Sequence, residues 1–137
     1  MSYAFRGGYN ARMDVEWLKS VCLAYPFVTE EYPFDLDTAV FKVKGKMFAL
    51  FSLESDPLSI NLKCDPQDAI ALRAQYEAII PGYHMDKRHW NTLRLDGSLP
   101  ETLVRELLDH SYALVVGKLR VKDREAVLRA WQRQQAD

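Results

Sequence analysis

Two histidines, two cations and a tryptophan fall within twelve residues, Pro81-Gly82-Tyr83-His84-Met85-Asp86-Lys87-Arg88-His89-Trp90-Asn91-Thr92. Metal ligation is the first chemistry such residues suggest, with His84 and His89 as ligands and Asp86 beside them. The spacing works against it. Residues five apart lie about 140° apart on a helix and on opposite faces of a strand, so only a folded loop converges the two rings. No His-Glu-x-x-His motif and no cysteine pair completes a site. Hydrogen bonds within the loop are the plainer use for these rings, and no metal or other cofactor is expected.

Nucleophilic catalysis would need Cys64, Ser111 or another nucleophile beside a base and an oxyanion hole. The chain has no Gly-x-Ser-x-Gly elbow, no catalytic-cysteine signature and no phosphate-cradling glycine loop. Lys44-Gly45-Lys46 holds one glycine, too few to wrap a phosphate, and the adjacent acids Glu30 and Glu31 are ordinary on a solvated face. No catalytic residue is assigned, and the chain reads as non-enzymatic.

Nucleic-acid binding has more material. Lys42, Lys44 and Lys46 flank a hairpin turn, and a protruding hairpin with cations can lie along a groove as a wing. Lys87, Arg88 and His89 add charge beside Trp90, which could stack or wedge. The same residues have a plainer reading, in which hairpin lysines protect sheet edges and Trp90 packs in the core. A formal charge of -1 and a pI near 6.3 supply no global attraction to phosphate. Charge is uneven, however. Residues 14–37 hold six acids against Lys19, and residues 110–137 hold six bases against three acids. A local basic patch therefore survives the global balance.

The elements that position these residues follow from periodicity. Asp14 reads as the N-cap of an amphipathic helix with Trp17, Leu18, Val21, Cys22 and Tyr25 on one stripe, ended by Pro26. Residues 39–44 and 47–53 read as strands joined around Gly45, the second nearly all apolar and so central. After Ser55-Asp56-Pro57, Leu58, Ile60, Leu62 and Cys64 alternate with polar residues as a strand with one wet face. Asp65 and Pro66 open a helix whose stripe, Ala69, Leu72, Tyr76, Ile79 and Ile80, runs to the Pro81-Gly82 break. Residues 90–95 alternate as a short strand. Ser98 and Glu101 form a capping-box pattern for a long helix carrying Val104, Leu107, Leu108, Tyr112 and Val115 inward and stopping near Gly117. A last helix from Asp123 buries Val127, Leu128 and Trp131.

At 137 residues and 48% hydrophobic, the chain suits one domain. Residues 1–12 show no period and read as an upstream extension, since Met13 would serve equally well as a start; the domain is taken as 13–137. Cys22 and Cys64 sit in apolar patterns and read as small buried hydrophobes, which fits a reducing cytoplasm. No apolar run approaches a membrane span, and the first residues lack a signal peptide's apolar stretch.

Three segments carry a family likeness: Leu62-Lys63-Cys64-Asp65-Pro66, the Pro81 to Thr92 block with its His-Trp-Asn-Thr end, and Leu95-Asp96-Gly97-Ser98-Leu99-Pro100 followed by Asp109-His110-Ser111-Tyr112. On these the chain resembles the MmcQ/YjbR family, from Met13 to about Arg129. Pro81, Gly82, His84, Met85, Lys87, His89, Trp90, Asn91 and Thr92 stand at the family-motif positions, while Arg88 and Leu93 are variants within the pattern. The resemblance implies an α+β fold, an antiparallel sheet packed by helices and similar to type III secretion chaperones. It also implies DNA binding, for which the residues themselves suggest electrostatic docking through the hairpin lysines and the Lys87 to Trp90 loop, with little base readout. The alternatives are a protein-binding or chaperone-like module and a small-molecule-binding protein.

Overall fold

The computed structural model describes residues 13–136, so the extension read over residues 1–12 lies outside the described residues. Asp14 caps the first helix, α1 (Val15–Leu23), by accepting the Trp17 N–H at 2.9 Å, which satisfies one of the orphan donors of the first turn. Leu18 and Cys22 of α1 are fully buried. Six strands follow in one antiparallel sheet: β1 (Val28–Glu31), β2 (Thr38–Val43), β3 (Lys46–Ser52), β4 (Ser59–Lys63), β5 (Ile79–Pro81) and β6 (Trp90–Arg94). Their spatial order is β1-β2-β3-β4-β6-β5, so the apolar β3 is internal, as its composition predicts. Lys44 (φ +50°) and Gly45 (φ +83°) make a two-residue turn between β2 and β3, with both central residues in the left-handed region that such hairpins require.

Helices α2 (Pro66–Gln75), α3 (Glu101–Val116) and α4 (Val121–Ala136) complete the chain. Alternation along the strands sends Ala39, Phe41, Ala49, Phe51, Ile60, Leu62 and Leu93 to one side. There they join Leu18, Val104, Leu108, Tyr112 and Val127 in a single core. The four helices of the described residues therefore lie on one face of the sheet. Among the described residues, the opposite face carries only a small buried cluster, Val40, Leu50 and Trp90, with Met47 and Met85 packed against it. Trp90 thus anchors this second cluster and not the main core.

Four expectations are corrected. The α2 stripe does not reach Ile80: Tyr76 is extended (φ -123°, ψ 120°), and Ile79 to Pro81 pair with β6 as an edge strand. The chain before Pro81-Gly82 is therefore a strand. A strand that the sequence reading lacked, β1, pairs with β2 through Val28, Thr29, Glu30 and Glu31. The capping box does not form, since α3 has Pro100 at its N-cap while Ser98 donates to Asp96 at 2.6 Å within the preceding turn. The last helix starts at Val121, two residues before Asp123, and Leu128 stays 40% exposed while Val127 is buried.

Candidate binding groove

The loop between β5 and β6 is built around Trp90. Gly82 donates to the Trp90 carbonyl at 2.8 Å, and a Cβ on Gly82 would stand 2.7 Å from the Trp90 Cβ, so only glycine fits this approach. Asp86 then turns the chain: its carboxylate accepts the Arg88 N–H at 3.0 Å and meets His89 Nδ1 at 2.8 Å, while its carbonyl accepts from the His89 and Trp90 N–H groups. The His89 ring first, and the Arg88 N–H next, hold the Asp86 carboxyl below the usual carboxylate range. From the helix side, Arg73 Nε donates to Asn91 Oδ1 at 2.6 Å and its Nη2 donates to the Lys87 and Trp90 carbonyls. Thr92 Oγ1 accepts the Tyr83 N–H at 2.9 Å and donates to Asn61 Oδ1. The side chains of Asp86, His89, Asn91 and Thr92 are thereby committed to shaping one loop.

That loop walls a groove on the face that the helices of the described residues leave uncovered. Across the sheet, Glu31, Val40, Leu50, Asn61, Thr92 and Ile80 are successive cross-strand neighbours. Over the middle of this row lies a cavity of about 460 Å³. Leu50, Met47 and Asn61 line its floor, Phe34 and Asp35 come from the β1–β2 connection, and Tyr83, His84 and Met85 come from the β5–β6 loop. His84 adopts φ +61°, an uncommon conformation for a residue with a side chain, and its ring lies 4.0 Å from that of Tyr83. Phe34 and Tyr83 each leave 64% of their surface exposed, so two aromatic faces stand open at the rim. Asp35 is held below the usual carboxylate range by the Asp37 N–H and then by the Thr38 hydroxyl and N–H, and is ionised. A second chamber of about 270 Å³ shares Asn61 and Tyr83 with the first and continues over Ser59, Thr92 and Arg94.

The cations proposed from sequence do not converge. Lys42 faces the uncovered side and pairs with Glu31 at 3.1 Å. Lys44 turns the other way, 4.0 Å from Asp123 in α4 and 4.3 Å from the Phe27 ring centroid. Lys87 Nζ donates to the Gly82 carbonyl at 3.2 Å, and His89 is held by Asp86. Lys46 and Arg88 are exposed, and their side chains make no hydrogen bond or ion pair among the described residues. Among the described residues no group of three His, Cys, Asp or Glu side chains could hold a metal ion; His84 rims the groove while His89 sits in the loop base.

The sequence reading placed no site on Phe34, Met47, Leu50, Asn61 or Arg94. One signal was available. Met47 and Leu50 sit at outward registers of a strand whose inward registers are also apolar, so something besides water must meet that face.

A family model described as YjbR matches residues 23–114. The chain belongs to the YjbR family. It is 39% identical over 112 residues to the uncharacterized protein YbdF of Escherichia coli O157:H7, covering 82% of this chain and 92% of that relative. It is 31% identical over 116 residues to YjbR of Escherichia coli strain K12, covering 85% and 98%. Among solved structures, the Deinococcus radiodurans protein DR2400 superposes with a TM-score of 0.79 at 42% identity, over 83% of this chain and 87% of that one. A Pseudomonas syringae protein does so at 0.67 and 26% identity, over 75% and 99%.

In this YjbR-family chain the second motif, Asp109-His110-Ser111-Tyr112, is architectural. Asp109 accepts the Tyr25 hydroxyl at 2.5 Å, His110 Nε2 accepts the Asp65 N–H at 3.2 Å, and Tyr112 donates to the Pro26 carbonyl at 2.6 Å. Ser111, fully buried, accepts the Lys63 N–H at 2.9 Å and donates to the Phe48 carbonyl at 2.5 Å. It bridges β3 and β4 where the β2–β3 irregularity has displaced Phe48 from regular pairing. Burial pushes the Cys22 thiol up to about 12 and the Cys64 thiol up to about 11. The two candidate nucleophiles, Ser111 and Cys64, are therefore a strand clamp and a buried, protonated thiol.

Proposed function

We propose that this YjbR-family protein is a non-enzymatic binding module that takes a small organic molecule with an apolar body in the groove of the uncovered sheet face. The observation that carries the reading is the cavity of about 460 Å³ between Phe34 and the Tyr83-His84-Met85 wall, floored by Leu50 and Met47. Its size falls in the range of pockets that hold drug-sized ligands, and a mostly apolar lining with a few placed polar groups is their usual make-up. The buried or hydrogen-bonded state of Ser111, Cys22 and Cys64 supports a binding role over a catalytic one. Among the described residues no helix is long and apolar enough to cross a membrane.

Amide chemical-shift mapping with 2-naphthaleneethanol tests the reading. Shifts are expected at residues 34–38, 47–52, 61 and 83–85, and Phe34→Ala with Tyr83→Ala should weaken binding at least about tenfold, since each removes a stacking face. Because both side chains are exposed, the double variant should unfold at the same urea concentration as the parent. Shifts scattered over the helices instead, or affinity untouched by the double variant, would sink the proposal.

Electrostatic docking on duplex DNA is a second reading, favoured by one placement. Lys46 starts β3, Lys63 ends β4 opposite Trp90, and Arg88 precedes Trp90, so three cations gather at one end of the sheet. Titration with duplex DNA at low ionic strength decides it. Binding should fall with salt and drop with Lys46→Ala plus Arg88→Ala; none at low salt removes it.

A further inference from the structure

Both chambers of the groove are mostly apolar, and the one guanidinium in their lining names a ligand. The larger chamber is apolar, with Met47, Leu50 and Met85 around the floor and wall. The smaller chamber also has apolar walls, Phe51, Ile80 and Tyr83, but adds Ser55, Ser59 and the Arg94 guanidinium, with no carboxylate among its described lining residues. We infer that the smaller chamber is an anion subsite, and that the ligand is a carboxylate carrying an apolar body about the size of a two-ring system. This inference rests on the groove being a small-molecule site.

Two unpartnered donors carry it. Arg94 follows Trp90 and Thr92 on the outward registers of β6, so its side chain lies on the uncovered face, opposite Ser59. One end of its guanidinium is fixed, with Nη2 donating to the Glu77 carbonyl at 3.2 Å. Its Nε is buried and has no hydrogen-bond partner. A buried N–H on a permanently charged group left without an acceptor is costly, and such groups are normally satisfied. Asn61 supplies the second donor. Its Oδ1 already accepts from Thr92, and its Nδ2 makes no hydrogen bond among the described residues.

The surrounding hydroxyls are turned away. Ser55 donates to the Ser52 carbonyl at 3.3 Å and Ser59 to the Pro57 carbonyl at 3.2 Å, so neither hydroxyl hydrogen is free for a ligand and the donors left to one are those of Arg94 and Asn61. The nearest acid in sequence, Asp96, is held below the usual range by the Ser98 hydroxyl first, with the Arg94 charge a smaller contribution, and its hydrogen bonds go to Ser98. A carboxylate in this chamber would lie against the Arg94 guanidinium and give Asn61 Nδ2 the acceptor that the protein withholds. Its apolar body would then extend past Asn61, one of the residues common to both chambers, toward Leu50. A charge-assisted bond to a guanidinium is roughly twice as strong as a neutral one, so the head group should dominate selectivity.

A matched pair of compounds tests this at neutral pH and low salt: 2-naphthylacetate against 2-naphthaleneethanol, which share the ring system and differ in head group. The acid is expected to bind about tenfold more tightly, with added shifts at Ser59, Asn61 and Arg94. In Arg94→Gln the ratio of the two affinities should fall to about one, in Arg94→Lys part of the preference should return, and in Arg88→Gln it should be unchanged. Equal binding of acid and alcohol by the parent, or a preference that survives Arg94→Gln, overturns the anion subsite while leaving the groove standing. Shifts from neither compound overturn both.

Discussion

Ser111 shows how a residue that looks like a nucleophile can be a structural clamp. Its hydroxyl is the partner of one buried N–H on β4 and one buried carbonyl on β3, both left over where the Phe48 irregularity interrupts the ladder. Ser111→Ala should therefore cost about 2 kcal/mol, the penalty of leaving such groups unmet, and should move the urea midpoint down without changing the slope. An unchanged midpoint would mean that the strands re-pair without it. Gly82 makes a sharper case, because its neighbours are the Cβ atoms of Trp90 and Met85 at 2.7 and 3.0 Å, which no rotamer change can move. Gly82→Ala should destabilise by about 1–3 kcal/mol through forced backbone shifts. It should also weaken 2-naphthaleneethanol binding, since the displaced residues, Tyr83 to Met85, are the groove wall. Stability lost with groove binding intact would show that loop and wall are separable.

The β5–β6 loop behaves as an element in its own right, held from below by Arg73 and from within by Asp86. The Asp86 carboxyl is depressed in the fold, by His89 foremost. A carboxylate so depressed contributes stability that is fully present above its unfolded value, about 3.9, and is lost as pH falls through the lower folded value. The Trp90 indole resonance should hence show a step as pH falls through the carboxylate range, below about 4. In Asp86→Asn it should start from the loosened position and show no such step; identical profiles would remove Asp86 as the clamp. This loop was recognisable in the sequence as a polar connection, and so were α1, α3 and strands β2 to β4, because each carries a full period of apolar residues. β5 was not, since Ile79 and Ile80 also continue a helical spacing from Ala69 and three residues are too few to declare a period of two. β1 hid for another reason: an edge strand with Thr29, Glu30 and Glu31 buries little, and its pairing rests on backbone hydrogen bonds that leave no side-chain signature. The groove was illegible because it depends on which loops fold over the outward face. Phe34 and Tyr83 are 49 positions apart in the sequence, and nothing local relates them.

At the scale of the molecule, helices cover one face of the sheet and loops fence the other, so stability and binding reside on opposite sides. The helix side has one continuous core that includes Cys22, whereas Cys64 lies at the end of β4 beside α2, buried but outside that core. The two thiols therefore report different openings. Both are held protonated by burial, up to about 12 for Cys22 and about 11 for Cys64. At pH 8 the folded state then has almost no thiolate, and labelling proceeds through opened states. With single variants Cys22→Ala and Cys64→Ala isolating each thiol, Cys22 should label only through global unfolding, with a urea dependence matching the equilibrium slope. Cys64 should label faster and with a weaker urea dependence, because freeing it needs only α2 and the His89 end of the loop to part from β4, where its N–H is bonded to the His89 carbonyl at 2.8 Å. Addition of a saturating groove ligand then separates the two faces. A ligand that contacts Tyr83 to Met85 stabilises the loop and so should slow Cys64 labelling, and it should slow Cys22 only by the global factor that mass action allows. Equal slowing of both thiols, or of neither, would mean that the loop opens only with the whole fold.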